Sequence, residues 1–448
     1  MSADAVIIGA GVAGLSAAVR LAQAGKRVVV LEEAPRLGGR ATAFTDRDTG
    51  ERVDNGQHVL FGCYRETYAF LRAIGTADLA PLQSRLTLTM VDSRGQSSDL
   101  VCPSLSPPWH LVAGLLRWRA LSLRDRLGAL RIRSLLDAVR RDGAAAVAAR
   151  VPPAETVTAW LDRLRQSPRI RAWLWHPLAI AALNQSPDVA AAAPFVRVIG
   201  ELFGPRLEDS SVGMPQVPLD ELFGTQAQSL IERADGEVRL RASARVELDG
   251  DGRVAAVRAG SERWPTRTVI STAPWHAFAR IWDGDVPRPL AVIAQNAAAM
   301  ASSPIVTVNL WFDGAIMQPR FVCLVDGPMH WVFDKSAIFG ESAGHLSVVA
   351  SGADDLAAMD NAEVTSAAVA QIQAALPGAR SRTLRRSVVV REHRATFSLA
   401  PGQPPRPGIA TPVPGLLLAG DWTDTTLPGT IEGAVQSGHR AADRILGR

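Results

Sequence analysis

Near its start the chain changes hydrophobic period twice within thirty residues. DAVIIG (residues 4–9) is a short unbroken apolar run rich in β-branched side chains, the pattern of a strand buried on both faces. LSAAVRLAQAG (15–25) then repeats its apolar positions with helical spacing and ends on a glycine, and RVVVLEE (27–33) returns to a buried-strand pattern. Strand, glycine turn, helix and strand in this order predict a βαβ unit of an α/β fold. A second such change lies near the other end, where LLLAGDWTDTTLPGTIEGAVQSG (416–438) reads as a strand end, a polar Gly/Pro turn and a helix start. Between them, VRLRASARVELDGDGRVAAVRAG (238–260) alternates around an Asp-Gly turn, as paired strands do, and RTVISTAPW (267–275) reads as another strand. SPIVTVNLWF, FVCLVDG and HWVFD predict a second sheet.

The turn within the first unit is GAGVAG (9–14), and the residue types explain why. Gly9 permits the tight turn, Gly11 lets the backbone approach a pyrophosphate, and Gly14 lets helix and strand pack closely. Ala13 falls within the same contact stretch. The helix N-terminus faces the phosphate charge, and Glu32 at the end of the second strand is placed to accept hydrogen bonds from a ribose diol. This is a dinucleotide cradle, and on its own it suits NAD or FAD.

Composition narrows the classes. The 448 residues suffice for two or three domains, and the net charge is only +4. Arginine carries nearly all the positive charge, since Lys26 and Lys335 are the lysines. The basic residues are scattered or amphipathic, with no aromatic-basic motif, so nucleic acid is not an expected partner. Cys63, Cys102 and Cys323 are far apart and odd in number, with no metal-ligand spacing, so neither a disulfide framework nor a metal site is expected. The first apolar run lacks a basic leader and is broken by glycines, and no window approaches the roughly 20 apolar residues of a membrane span. The expectation is a cytoplasmic protein.

EEAPRLGGRATAF (32–44) carries a second glycine pair, Gly38 and Gly39, followed by Arg40. This resembles the GG motif of FAD-dependent amine oxidases and carotenoid desaturases, where the turn returns to the pyrophosphate. The stretch from Gly420 to Gly438 resembles the C-terminal motif of the same superfamily. The resemblance implies non-covalent FAD, with Asp421 after Gly420 near the ribityl phosphate and the helix starting at Thr430 and Ile431 aimed at the flavin's pyrimidine edge. A helix N-terminus favours the negative charge of a reduced flavin. The segment around Ala244 and Val246 resembles the one beside the adenine. The implied fold is a Rossmann-like FAD-binding domain (1–85, 230–295 and 385–448) interleaved with an α+β substrate domain (86–229 and 296–384).

Thr430 stands where amine oxidases commonly place a cage tyrosine, and the tyrosines here are Tyr64 and Tyr68, near the N-terminus. An amine substrate is therefore disfavoured. VDNGQHVLFGCYRETYAFLRAIG (53–75), HWVFDKS (330–336) and LAGDWTDTTLPGTIEGAVQSG (418–438) resemble the squalene-associated FAD-dependent desaturase group, the hydroxysqualene dehydroxylases of bacterial hopanoid synthesis. That resemblance implies reduction of hydroxysqualene to squalene by hydride from reduced FAD, and an electron donor that no motif in the chain specifies. DNGQH is expected to run along the flavin, with Gly56 and Gln57 as cofactor contacts. His58 is then either the general acid or a hydrogen-bonding partner of backbone or cofactor; His176, His330 and Glu432 are weaker candidates. A carotenoid-type desaturase or isomerase, and a non-catalytic isoprenoid-binding escort, are the alternative readings.

Residues 102–141 mix Trp109, Leu115, Leu116 and Trp118 with eight arginines and two acids, Asp125 and Asp137. Such a basic amphipathic helical segment suits an anionic bilayer surface, which would make the protein peripheral on the inner face of the cytoplasmic membrane; it equally suits a core helix with a solvated basic face. RIRAWLWHPLAIAALNQSP (169–187) suits either an apolar tunnel or plain core.

Overall fold

A computed structural model of the protein describes residues 3–341 and 343–448. Its centre is a five-stranded parallel sheet of β1 (Ala5–Ile8), β2 (Val28–Leu31), β3 (Glu237–Arg239), β4 (Val269–Ser271) and β5 (Leu416–Leu418), in the spatial order β5-β4-β1-β2-β3. Strand order reverses at β1, and ligands of doubly wound folds bind beyond the carboxyl ends of the strands at that point. All side chains of β1 and β2 are buried, as their unbroken apolar runs require.

Helix α1 (Val12–Gln23) follows β1, and the last helix, here α7 (Ile431–Leu446), lies against it. Small residues make the closeness possible. A Cβ at Gly438 would collide with the Ala13 carbonyl oxygen and come within 2.5 Å of Ser16 Oγ. At the far ends of the two helices Arg20 grips Asp443 with Nε and Nη2, at 2.6 and 2.9 Å. Helix α2 (Arg65–Ile74) packs on α7 from the other side.

The second layer is a seven-stranded sheet ordered 384–397, 302–312, 345–351, 331–334, 321–324, 87–91 and 97–101, antiparallel except where Cys323 pairs in parallel with Met90. Its period-2 alternation separates two environments. Val306, Val308 and Leu310 pack with Val364, Ala368 and Ile372 of helix α6 (Asn361–Ala375). Ile305, Trp331, Phe333 and Val349 face a large cavity instead.

Two boundaries differ from the sequence expectation. The chain does not rejoin the cofactor sheet at 385, because Leu384–Phe397 pairs along its length with Ser302–Phe312; it returns only at β5. The 102–141 stretch is three short helices, α3 (Trp109–Arg117), α4 (Leu123–Ala129) and α5 (Arg133–Asp142), rather than one segment. The break is chemical. Ser122 and Asp125 form a reciprocal capping box that starts α4 after Trp118 has turned into the core. Among the described residues, no helix is long and apolar enough to cross a membrane.

The contact between α1 and α7 yields a test. Gly438→Val should destabilise the protein by more than about 2 kcal/mol, because a backbone carbonyl cannot move aside as a flexible side chain would. Gly128→Ala, whose Cβ position has nothing within 4 Å, should leave the thermal melt unchanged. Equal melting of both variants with the parent would refute the tight contact.

Candidate active site

Beyond β1 the chain turns at Gly9, whose φ of +101° is open to glycine and whose Cβ would meet Thr272 Oγ1 at 2.5 Å. The second glycine turn lies against the first: Gly38 N–H donates to Ala10 O at 2.9 Å, Gly11 and Gly38 form an isolated bridge, and Gly39 packs on Gly11 Cα. Gly38 and Gly39 both have positive φ, which sequence spacing alone does not reveal. Gly14 presses α1 onto this turn, close to the Gly9 carbonyl and Thr272. Gly11 is different, because nothing lies within 4 Å of its Cβ position. It is also the N-cap of α1 and offers no side chain to the first free N–H groups.

Glu32 closes the cradle from the side. Its carboxylate accepts from Ala10 N–H at 2.6 Å and Ala34 N–H at 2.8 Å, one on each oxygen, which leaves acceptor capacity for a diol. Burial raises its pKa against those two bonds. Ala242 N–H donates to the Glu32 carbonyl at 2.8 Å, so the strand holding buried Ala244 and Val246 starts beside the same residue.

The C-terminal turn meets the N-terminal one through an ion pair. Arg40 Nη2 donates to Asp421 Oδ1 at 2.6 Å and Nη1 to Ala395 O at 2.6 Å. Both Arg40 and Asp421 therefore spend charge on each other, joining residues 381 positions apart. Gly420 N–H donates to Ser437 Oγ at 2.7 Å, fixing this turn on α7. Thr430 caps α7 by accepting from Gly433 N–H at 3.1 Å, which leaves the N–H groups of Ile431 and Glu432 free at the helix start.

DNGQH lies between the two turns. Gly56, Gln57 and His58 line the cavity together with Arg40, Thr430 and Ile431. His58 Nδ1 donates to Gly56 O at 2.7 Å in the tautomer that leaves Nε2 free for a ligand. Burial lowers the His58 pKa, with the Gly56 bond and Asp54 opposing and Arg40 adding to the fall. The ring is therefore neutral near pH 7. Beneath it, Lys335 Nζ donates to Asp54 Oδ2 at 2.8 Å and Gln57 Oε1 at 2.6 Å, with its side chain 1% exposed. This buried cation joins HWVFDKS to DNGQH. Sequence reasoning missed it, although a lysine in so arginine-rich a chain was a signal: a compact ammonium fits where a guanidinium fork does not.

The weaker acid candidates separate. Glu432 lines the cavity, but its carboxylate accepts from Glu66 N–H, Thr67 N–H and Thr67 Oγ1 at 3.0, 2.9 and 2.7 Å, clasping the start of α2. His330 Nδ1 accepts from Ser351 N–H at 3.0 Å, and burial lowers its pKa to about 4. Neither His330 nor His176 is among the cavity-lining residues.

The cavity is about 1050 Å³, at the top of the roughly 300–1,000 Å³ range of small-molecule sites. Leu88, Leu100, Trp118, Trp173, Phe321 and Trp331 give it an apolar wall. It runs from Arg40, the DNGQH loop and the start of α7 to α3 and the turn between α4 and α5, where Trp109 and Leu130 line it and are also 62% and 37% exposed.

The arrangement defines a dinucleotide flavoprotein with a large apolar substrate chamber. Residues 12–446 match the family described as flavin containing amine oxidoreductase, and the chain belongs to that family. It is 30% identical to the hydroxysqualene dehydroxylase of Rhodopseudomonas palustris over 461 residues, covering 100% of this chain and 99% of the relative. The zeta-carotene desaturase of Zea mays is 25% identical, covering 98% of this chain and 83% of that one. Cyclohexylamine oxidase from Brevibacterium oxydans shares the fold at a TM-score of 0.69 and 20% identity, over 100% of both chains. Wild-type putrescine oxidase bound to putrescine does so at 0.71 and 17%, also over 100% of both. The protein is an FAD-dependent oxidoreductase.

The residues present fit FAD. The open space at Gly11, the uncapped start of α1 and the free N–H groups of α7 suit anionic and acceptor groups. Thr42 Oγ1 and Thr307 Oγ1 are buried without partners beside the second glycine turn and Gly56 respectively, and a ligand along this path would satisfy them. The protein should purify yellow and release its FAD on acid precipitation. Gly11→Val should remove most of the flavin while the apoprotein melts as the parent apoprotein does, since the protein itself leaves that side chain room. A variant retaining a full complement of flavin would displace the cradle from Gly11.

Proposed function

We propose that the protein reduces hydroxysqualene to squalene by replacing an allylic hydroxyl with hydrogen, as a step of bacterial squalene and hopanoid synthesis. The observation that carries this reading is the apolar chamber running from the DNGQH loop and the start of α7 to an exposed apolar patch. The full-length similarity to hydroxysqualene dehydroxylases supports it. When bound, reduced FAD would supply the hydride. The chain's own residues do the rest. The aromatic wall excludes water and offers π faces to a delocalised cation. His58 presents Nε2 to the chamber, and its protonated form donates to the departing hydroxyl, which leaves as water. Its lowered pKa makes the imidazolium a stronger acid and a scarcer one. Lys335 positions the loop that carries it. The relatedness to zeta-carotene desaturase supports a second reading, in which the same chamber serves oxidative desaturation.

With FAD reduced by dithionite under anaerobic conditions, the enzyme should convert hydroxysqualene to squalene as the flavin returns to its oxidised colour. Desaturation of phytoene or squalene by the oxidised enzyme, with the alcohol ignored, would move the assignment to the second reading. If His58 is the acid, the rate should keep rising as pH falls below the ordinary imidazole value of 6.5, because burial lowers its pKa. His58→Ala should slow turnover by roughly 10²–10⁴-fold with FAD still bound. Loss of flavin in that variant would make His58 a cofactor residue.

The exposed patch supports membrane uptake of the substrate. Leu105, Trp109, Leu116, Leu123, Leu127 and Leu130 are all at least 37% exposed, and Arg117, Arg119, Arg124, Arg131 and Arg133 stand exposed among them. Asp125 is buried in its capping box and takes no charge to the surface. Of these arginines only Arg133 meets an acid among the described residues, Asp137, and leucines ringed by such arginines suit an anionic bilayer surface. Flotation with liposomes should require anionic lipid and weaken as salt shortens the reach of the arginines. Equal partition onto neutral vesicles would remove the electrostatic part.

A further inference from the structure

One end of the apolar chamber is polar, and two of its groups have no partner. Helix α7 turns Glu432, Gln436 and His439 toward the start of α2, at the i, i+4, i+7 spacing of a single helix face. Glu432 and His439 are both engaged there: the first by Glu66 N–H, Thr67 N–H and Thr67 Oγ1, the second by Glu66 Oε2 at 2.6 Å. Gln436 lies between them and lines the chamber, yet its Oε1 is buried with no hydrogen-bond donor, and its amide N–H groups have no acceptor among the described residues. Tyr64, the residue before α2, also lines the chamber, and its hydroxyl makes no hydrogen bond among the described residues. Burial, Cys63 and the Glu432 carboxylate all raise its pKa, so the phenol stays a neutral donor.

Buried polar groups are nearly always satisfied, and here an orphaned acceptor on α7 and an unpartnered donor at the start of α2, which Glu432 joins, line one apolar cavity and mark what is missing. A carboxylate or phosphate ligand does not fit, because every arginine lining the chamber among the described residues already pairs with an acid: Arg40 with Asp421, Arg65 with Asp209, Arg133 and Arg140 with Asp137, and Arg197 with Glu201. An ammonium would need a free carboxylate, and Glu432 and Glu66 are both taken. A hydroxyl fits both groups at once, since it donates one hydrogen bond and accepts another. We propose that Tyr64 and Gln436 form the subsite for the hydroxyl of an otherwise apolar isoprenoid alcohol, donating to Gln436 Oε1 and accepting from the Tyr64 phenol. This rests on the isoprenoid-alcohol reading of the chamber and names the residues that set its specificity. The dehydroxylated product leaves both groups unpaired again, so the same pair favours substrate over product.

The test measures equilibrium binding of hydroxysqualene and of squalene to the FAD-loaded enzyme, followed by turnover. The wild type should bind the alcohol at least about tenfold more tightly than the hydrocarbon. Gln436→Leu and Tyr64→Phe should each weaken alcohol binding by about tenfold, the scale of one lost neutral hydrogen bond, and leave squalene binding unchanged or tighter. Gln436→Glu, measured at a pH where the carboxyl is protonated, should restore part of the preference. FAD content and thermal melting equal to the parent's would show that the folds are intact. Variants that keep the full preference would overturn the subsite. A wild type that binds the alcohol preferentially but does not reduce it would instead overturn the proposed reaction, with the subsite still judged by the binding ratios.

Discussion

The structure depends on how closely α7 lies against α1. The two helices are the last and the first of the chain, and both must bring their N-termini to one cleft beyond β1. Gly438 against the Ala13 carbonyl sets the separation, and Arg20 with Asp443 fixes the far ends. Once the axes are fixed, the uncapped N–H groups of α1 and those of α7 suit the two halves of one extended cofactor, the placement proposed for FAD. Arg40 with Asp421, and Ser437 with Gly420, then fix the loops in front of those helix ends. A side chain added at the helix contact would displace a whole binding surface, which is why so much of the interface is Gly, Ala and Ser.

A second constraint couples the layers. Lys335 begins a short helix after the strand Trp331–Asp334 of the substrate sheet, and Asp54 and Gln57 lie on the loop carrying His58. Burial lowers the lysine's pKa and Asp54 opposes the fall, so the lysine depends on Asp54 to keep its charge. Removing one partner of so buried a pair costs about 3–5 kcal/mol, because the other charge is stranded away from water. The loop that carries His58 is thus held from the seven-stranded sheet, and any shift of that sheet reaches His58 directly.

The cradle was legible in the sequence because its causes are local. A strand, three glycines, a helix and an acid within thirty residues each impose their own pattern, and the Thr430 cap announces α7 in the same way. Long-range pairing was not legible. Leu384–Phe397 has a strand's composition, and nothing in it says that its partner is Ser302–Phe312 instead of the cofactor sheet. The Lys335 contact with Asp54 spans 281 positions, and the Glu432 clasp on α2 spans 365. The three short helices of 109–142 could have been anticipated from the Ser122–Asp125 spacing, since a capping box is a start signal inside what otherwise reads as one amphipathic run. Tyr64 is a sharper case. The C-terminal position that would hold an aromatic residue holds Thr430, yet a tyrosine reaches the chamber from the N-terminal side.

These charges bear on the proposal that this member of a family named for amines takes an alcohol. An ammonium substrate needs an unengaged carboxylate or an aromatic cage. Every carboxylate lining the chamber among the described residues is already occupied: Glu66 by His439, Asp137 by Arg133 and Arg140, Glu201 by Arg197, Glu392 by Asn55 and Glu432 by the start of α2. Arg40 is likewise held by Asp421. Among the described residues, groups left free in the chamber include the His58 ring, the Tyr64 phenol, the Gln436 amide and the Trp118 and Trp331 indoles, all uncharged at neutral pH. Such a site gives little attraction to a charged reactant in its ground state and offers aromatic faces to one that becomes cationic only as it reacts. Preference for charge that develops over charge already present is the condition for catalysis by differential binding. An allylic alcohol losing water meets that condition, and an amine that arrives protonated does not.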